Sequence, residues 1–111
     1  MTDKIVVVST CSSEEEAERL ARMLVERRLA ACVNVIARAR SFYRWQGAIE
    51  SAEEFLLVIK SSQGLFVQLR DALATEHSYE VPEIIALPVV DGSEAYLKWI
   101  EASLQGDFDV K

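Results

Sequence analysis

Hydrophobic and polar positions along the chain follow two rhythms, and their order predicts an architecture. Lys4 to Thr10 is rich in Val and Ile, the composition of a strand buried on both faces. Ser12 and Ser13 precede Glu14, Glu15 and Glu16, and Ser13 with Glu16 has the spacing of a capping box. The helix that follows runs to about Arg28, with Ala17, Leu20, Ala21 and Leu24 as its buried stripe. Its acidic first turn, with Arg27 and Arg28 at the far end, suits the helix dipole. Those glutamates therefore read as helix chemistry and not as ligands.

From Cys32 to Tyr43 the period changes to two. Val33, Val35, Ala37 and Ala39 are expected on one face, and Asn34, Ile36, Arg38, Arg40 and Phe42 on the other. Arg44-Trp45-Gln46-Gly47 supplies a turn, and a second arm runs from Ala48 to about Lys60. Each arm is roughly twice the ~5–6 residues of a typical strand. The tip carries Phe42, Tyr43 and Trp45. One aromatic side chain buries on the order of 150–250 Å², worth several kcal/mol at ~25 cal/mol/Å². Leaving such rings in water on a long strand pair invites aggregation. Other subunits are expected to cover the arm, and a hairpin that meets a different surface on the next copy closes into a ring.

Ser61 or Ser62 is expected to cap a second helix, to about Thr75, with Leu65, Phe66, Leu69, Ala72 and Leu73 on its apolar face. A loop from His77 to Glu83 leads into a strand, Ile84 to Val90. Pro82 stiffens the loop, and Pro88 places the strand at a sheet edge or near its own end. Asp91-Gly92 is a turn, and Ser93 caps a last helix from Glu94 to Leu104, with Tyr96, Leu97, Ile100 and Leu104 inward. Gln105 to Lys111 reads as a tail. The order strand, helix, strand, strand, helix, strand, helix is the α+β, ferredoxin-like split βαβ sandwich (βαββαβ plus a C-terminal helix) with a long β2–β3 hairpin. Both crossover helices lie on one face of its antiparallel sheet, and the bare face asks for a partner.

Composition narrows the function. The chain has 111 residues, read as one domain over 1–111. Its net charge is −6 and its pI about 4.8, with no basic cluster. That argues against nucleic acid, whose affinity comes from Lys and Arg displacing counterions, and against anionic membranes. No run has the length of a membrane span, and the N-terminus lacks a signal peptide's pattern, so the chain is expected in the cytoplasm. Cys11 and Cys32 are expected to be free thiols, Cys32 in the core and Cys11 more accessible.

Candidate chemistry gathers at 77–89, HSYEVPEIIALPV, which holds the single His and both prolines. The stretch reads either as a site or as a well-packed connection. Catalysis is the weaker reading: His77 has no motif-level nucleophile beside it, and the four glycines are scattered, not gathered in a phosphate loop. Glu80 and Glu83 flank Pro82 and read more readily as solvated carboxylates than as an acid–base pair.

Five stretches in register resemble the CutA family of divalent-cation-tolerance proteins: Leu29 to Val35 (LAACVNV), Ser41 to Glu50 (SFYRWQGAIE), Leu56 to Ser61 (LLVIKS), the 77–89 stretch and Tyr96 to Ile100 (YLKWI). The resemblance implies a tight homotrimer of ferredoxin-like subunits, similar in architecture to PII signalling proteins, and an association with tolerance of copper and other divalent metals. It also implies that several of Tyr43, Trp45, Lys60, His77, Tyr79, Glu80 and Glu83 line a cleft between subunits. Some bacterial members are thought to bind copper through a Cys just before the strand-end Thr and through a His-His pair. Here Ser9 precedes Thr10, the Cys follows as Cys11, and the pair is Glu76-His77. His77, Glu76, Glu80 and Cys11 remain the candidate ligands for Cu(II) or another divalent cation. The competing reading is a His that satisfies a backbone group. Three functions follow: a trimeric metal-associated tolerance protein, a PII-like small-ligand or signalling trimer, and an unrecognised enzyme.

Overall fold

The computed structural model describes residues 1–106. In chain order it contains β1 (Lys4–Cys11), α1 (Glu14–Glu26), β2 (Cys32–Trp45), β3 (Ala48–Ser62), a 3-10 turn (Gln63–Leu65), α2 (Phe66–Glu76), β4 (Ile85–Pro88) and α3 (Glu94–Ser103). The strands pair antiparallel in the order β2-β3-β1-β4. This is the ferredoxin-like α+β arrangement that the pattern predicts. Gln105 and Gly106 are the described part of the expected tail, and 107–111 lie outside the described residues.

Strand alternation puts Ile5, Val7, Ser9 and Cys11 of β1 beside Leu57, Ile59 and Ser61 of β3 on the helix side. There they pack with Leu20 and Leu24 of α1, Leu69 and Leu73 of α2, and Ile100 of α3. The opposite face carries Val6, Val8, Leu56, Val58, Ile36, Ile85 and Leu87, all half-buried or exposed within one chain. In its middle β1 is thus buried on one face only, while Lys4 and Thr10 at its ends are buried on the other. Pro88 closes β4, a short edge strand that ends two residues before the expected Val90.

Helix ends explain several boundaries. Ser13 Oγ accepts from Glu16 N at 3.1 Å, half of the expected capping box. The other half is diverted, because the Glu16 carboxylate turns to Ser78. At the C-terminus Arg28 adopts φ 58, Arg28 N donates to Val25 O and Leu29 N to Leu24 O, each at 3.0 Å. That is a Schellman motif built on Arg where Gly is usual, closed by Leu24 and Leu29 in the core. Ser61 and Ser62 do not cap α2. They end β3, and their hydroxyls donate to Leu29 O (2.6 Å) and Asp3 O (3.3 Å). Ser93 does cap α3, accepting from Tyr96 N at 3.3 Å. Tyr96 is not in the inward stripe: it stacks on Trp99 at 5.5 Å on the outer side, and Leu97, Ile100 and Leu104 face in.

The hairpin departs from the sequence pattern once. Ile36 pairs with Leu56, but Ala39 pairs with Glu54, so β2 carries one extra residue in a β-bulge, with Arg38 at φ 69. Beyond the bulge the alternation is reversed. Arg40, Phe42 and Arg44 join the helix-side face of Val33 and Val35, and Ala39, Ser41, Tyr43 and Trp45 join the bare face. A uniform period of two put Phe42 with Ile36 and Ala39 with Val35; the bulge corrects both. The turn itself is Gln46-Gly47, both at positive φ (49 and 84), a two-residue type I′ connection that matches the strand twist. The arm gives the molecule extents of 51 × 26 × 22 Å.

Candidate functional site

The loop after α2 is held against β1, α1 and β3 by a continuous set of buried polar contacts. His77 is its hub, with a fully buried side chain. Its Nε2 lies 2.8 Å from Thr10 O, and its Nδ1 accepts from Tyr79 N at 3.0 Å. A carbonyl can only accept and an amide can only donate, so His77 is the Nε2–H tautomer. Glu16 Oε2 sits 3.6 Å from Nδ1, while its two oxygens take Ser78 N (2.7 Å) and Ser78 Oγ (2.9 Å). Burial alone would raise the Glu16 carboxyl, but the bonds from Ser78 outweigh it and hold it below the usual carboxylate range.

Tyr79 continues the chain of contacts. Its ring is tilted against His77 at 4.8 Å, and its hydroxyl donates to Glu54 Oε2 at 2.7 Å. The other Glu54 oxygen takes Ser41 Oγ at 2.6 Å. Burial, reinforced by the bond to Glu54, pushes the Tyr79 phenol well above the ordinary tyrosine range. Glu54 lies opposite the bulge, so the loop is tied to the point where the hairpin changes face. Cys11 is buried beneath, and burial, with the Glu16 charge, raises its thiol. Cys11 is therefore the inert thiol and Cys32 the half-buried one, the reverse of the sequence expectation. A strand-end position reads as accessible, but the loop and α1 close over it.

The other expected site residues go elsewhere. Glu76 turns to Arg19 Nη1 (3.4 Å) and Arg27 Nη2 (3.5 Å). Glu80 and Glu83 are exposed. Lys60 bonds Asn34 Oδ1 and lies 4.0 Å from Cys32 Sγ. Tyr43 and Trp45 are exposed at the arm's tip. Within one chain, His77, Glu76, Glu80 and Cys11 do not converge: among the described residues no group of three or more His, Cys, Asp or Glu is placed to hold a metal ion. Both His77 nitrogens are already engaged, so the donors do not fit a divalent ion as one chain presents them. Glu16, expected only as helix chemistry, and Glu54, which the pattern does not single out, are the buried carboxylates that shape the site. For Glu54 the available signal was a carboxylate one step from the apolar run Phe55 to Ile59, on the face opposite Leu57.

An α+β ferredoxin-like chain with an arm of this length and a loop pinned by His, Tyr and Glu defines a recognisable class. The family model described as "CutA1 divalent ion tolerance protein" matches residues 5–103. The chain is 45% identical over 95 residues to the divalent-cation tolerance protein CutA of Thermus thermophilus, covering 86% of this chain and 92% of that one. It is 47% identical over 91 residues to human protein CutA, covering 82% of this chain and 51% of that one, and so spans about half the length of the human relative. The crystal structure of CutA from Xylella fastidiosa superposes with a TM-score of 0.92 at 39% identity, over 94% of this chain and 100% of that one. The chain belongs to the CutA1 divalent ion tolerance family.

Proposed function

We propose that this protein works in divalent-cation tolerance as a homotrimer whose functional cleft is shared between copies. One observation carries the reading: the face of the sheet away from the helices carries a patch of aliphatic side chains left half-buried or exposed, from Val6, Val8 and Val58 out to Ile36, Ile85 and Leu87. Each half-exposed aliphatic side chain removed from water contributes on the order of 1 kcal/mol. Several of them, with Tyr43 and Trp45 on the same face, reach the ~4–15 kcal/mol that association costs. The two thiols fit a reducing cytosol.

The tolerance role rests on family membership. Any copper or other divalent-cation site at Glu76, Glu80 or Cys11 needs donors from a second copy, and His77 joins it only by giving up its hydrogen bond to Thr10 O or from Tyr79 N. A second reading, a PII-like trimer that binds a small ligand and is not an enzyme, is favoured by one feature. Lys60, Tyr43 and Trp45 share the uncovered face, a cation and two rings on a surface that association turns into a cleft.

Chromatography with light scattering at micromolar concentration tests the shared premise, with three times the subunit mass expected and a monomer overturning it. Calorimetry with Cu(II) on wild type and His77→Ala separates the first reading from the second. Binding that the substitution abolishes supports a copper site. Thermal shift with nucleotides and other anions supports the second reading if the melting temperature rises.

A further inference from the structure

The groove between α1 and β2 has an apolar floor that nothing covers among the described residues. Ala21 and Val25 of α1 and Val33 and Val35 of β2 line a cavity of about 370 Å³ there. Val33 packs on the core at its inner side, while Val25 and Val35 are left exposed. β2 is an outer strand of the sheet, so no strand lies along the groove's open side. An outer strand flanked by exposed valines is ready to pair with a further strand.

The chain's own C-terminal segment sets out from one end of this groove. Leu104 is buried, and Gln105 is fixed to the end of α1. Gln105 N donates to Arg28 O at 2.9 Å, and its Nε2 donates to Arg27 O at 2.8 Å. Arg27 and Arg28 directly follow Val25 and Glu26, the groove residues nearest the C-terminus of α1, and β2 begins four positions further on. Beyond Gly106 the sequence reads Asp107-Phe108-Asp109-Val110-Lys111, apolar at every second position. That is the period of a strand with one buried face. Five extended residues reach about 17 Å. The groove follows α1 from Val25 back to Glu18, seven residues, or about 10.5 Å. The segment is therefore long enough to run its length.

We propose that residues 107–111 dock beside β2 as a fifth strand, with Phe108 and Val110 covering Val25, Val33 and Val35. The segment enters where β2 begins and runs the same way, so the pairing is parallel. The anchor at Gln105 makes the contact intramolecular, at an effective concentration on the order of mM, so a weak contact suffices. Docked, the segment closes this edge of the sheet and occupies the groove that a strand of any other chain would need. The inference does not depend on the self-association proposed above.

Cysteine pairing tests the placement in a Cys32→Ser background, because Cys11 is buried. Phe108→Cys combined with Val25→Cys is expected to close a disulfide within one chain on mild oxidation. Asp109→Cys combined with Val25→Cys, with its thiol on the other face of the strand, is expected to stay open. Mass spectrometry of a mixture of isotope-labelled and unlabelled protein tells a bond within a chain from one between chains. A bond between chains overturns the inference, because it seats the segment on a neighbour's groove. An open Phe108–Val25 pair, or equal closure of both pairs, overturns it as well. Hydrogen exchange supplies an independent readout. Deleting 107–111, or Phe108→Asp, is expected to speed exchange at the outward-pointing amides of 32–36 at least tenfold relative to those of β1, and Phe108→Leu to leave it near wild type. Unchanged exchange in the deletion variant overturns the inference.

Discussion

The Tyr79 hydroxyl donates to Glu54 Oε2 at 2.7 Å, and through that bond the loop after α2 holds the middle of the hairpin. Glu54 is buried, so losing the donor leaves a charged acceptor short of a partner, at a cost of about 1–3 kcal/mol. Tyr79→Phe is expected to lower stability by that amount in urea titration. With Glu54→Ala it should show a coupling of about 0.5–3 kcal/mol in a double-mutant cycle; additive losses would mean the two groups act separately.

Burial of Tyr79, reinforced by the same bond, sets an alkaline limit. Tyr79 holds its proton more tightly folded than unfolded. The stability it contributes is therefore complete below the ordinary tyrosine value, about 10, and falls as pH rises from there toward the raised folded value. Ultraviolet titration should show one phenol ionising only as the chain unfolds, and Tyr79→Phe should remove that phase.

Glu16 acts at the acid end. Its folded value is depressed, so its contribution is present above the unfolded carboxylate range and is lost as pH falls through the folded value. Glu16→Ala removes both bonds to Ser78 at any pH. Amide exchange at Ser78 and Tyr79 should quicken in that variant, and the acid midpoint of unfolding should lose part of its pH dependence. Unchanged exchange at both amides would show that the loop does not depend on Glu16.

Arg28 holds a left-handed backbone at the end of α1 for which it has no side-chain need, since its N–H and C=O make the contacts. Arg28→Gly removes the Cβ conflict, roughly 1–2 kcal/mol for an L residue in this region, offset by about 0.5–1 kcal/mol from glycine's extra unfolded-state freedom. A gain of up to about 1.5 kcal/mol is expected in chemical denaturation, while Arg28→Val should destabilise.

Element order, both helix stripes and the long hairpin were legible because each rests on local rules. Ser13 reads as a cap, Leu69 and Leu73 as a stripe, and Gly47 as a turn, from a few neighbouring residues. The bulge was not legible, because Ala37-Arg38-Ala39 alternates as well with a bulge as without one, and only the pairing with Glu54 and Phe55 decides. The site was half legible. His77 and Tyr79 stood out by composition, but Glu16 had a sufficient local explanation in the helix cap, and its link to Ser78 spans 62 positions. Cys11 was misplaced for the same reason: what covers it comes from distant segments.

The extra residue at Arg38 has an evolutionary implication. β3 carries no such irregularity and partners across a ribbon look the same way, so losing that residue would leave every ring of the tip facing as it does now. A lineage can therefore gain or lose it at the expense of a local kink and twist alone, without altering what the arm displays.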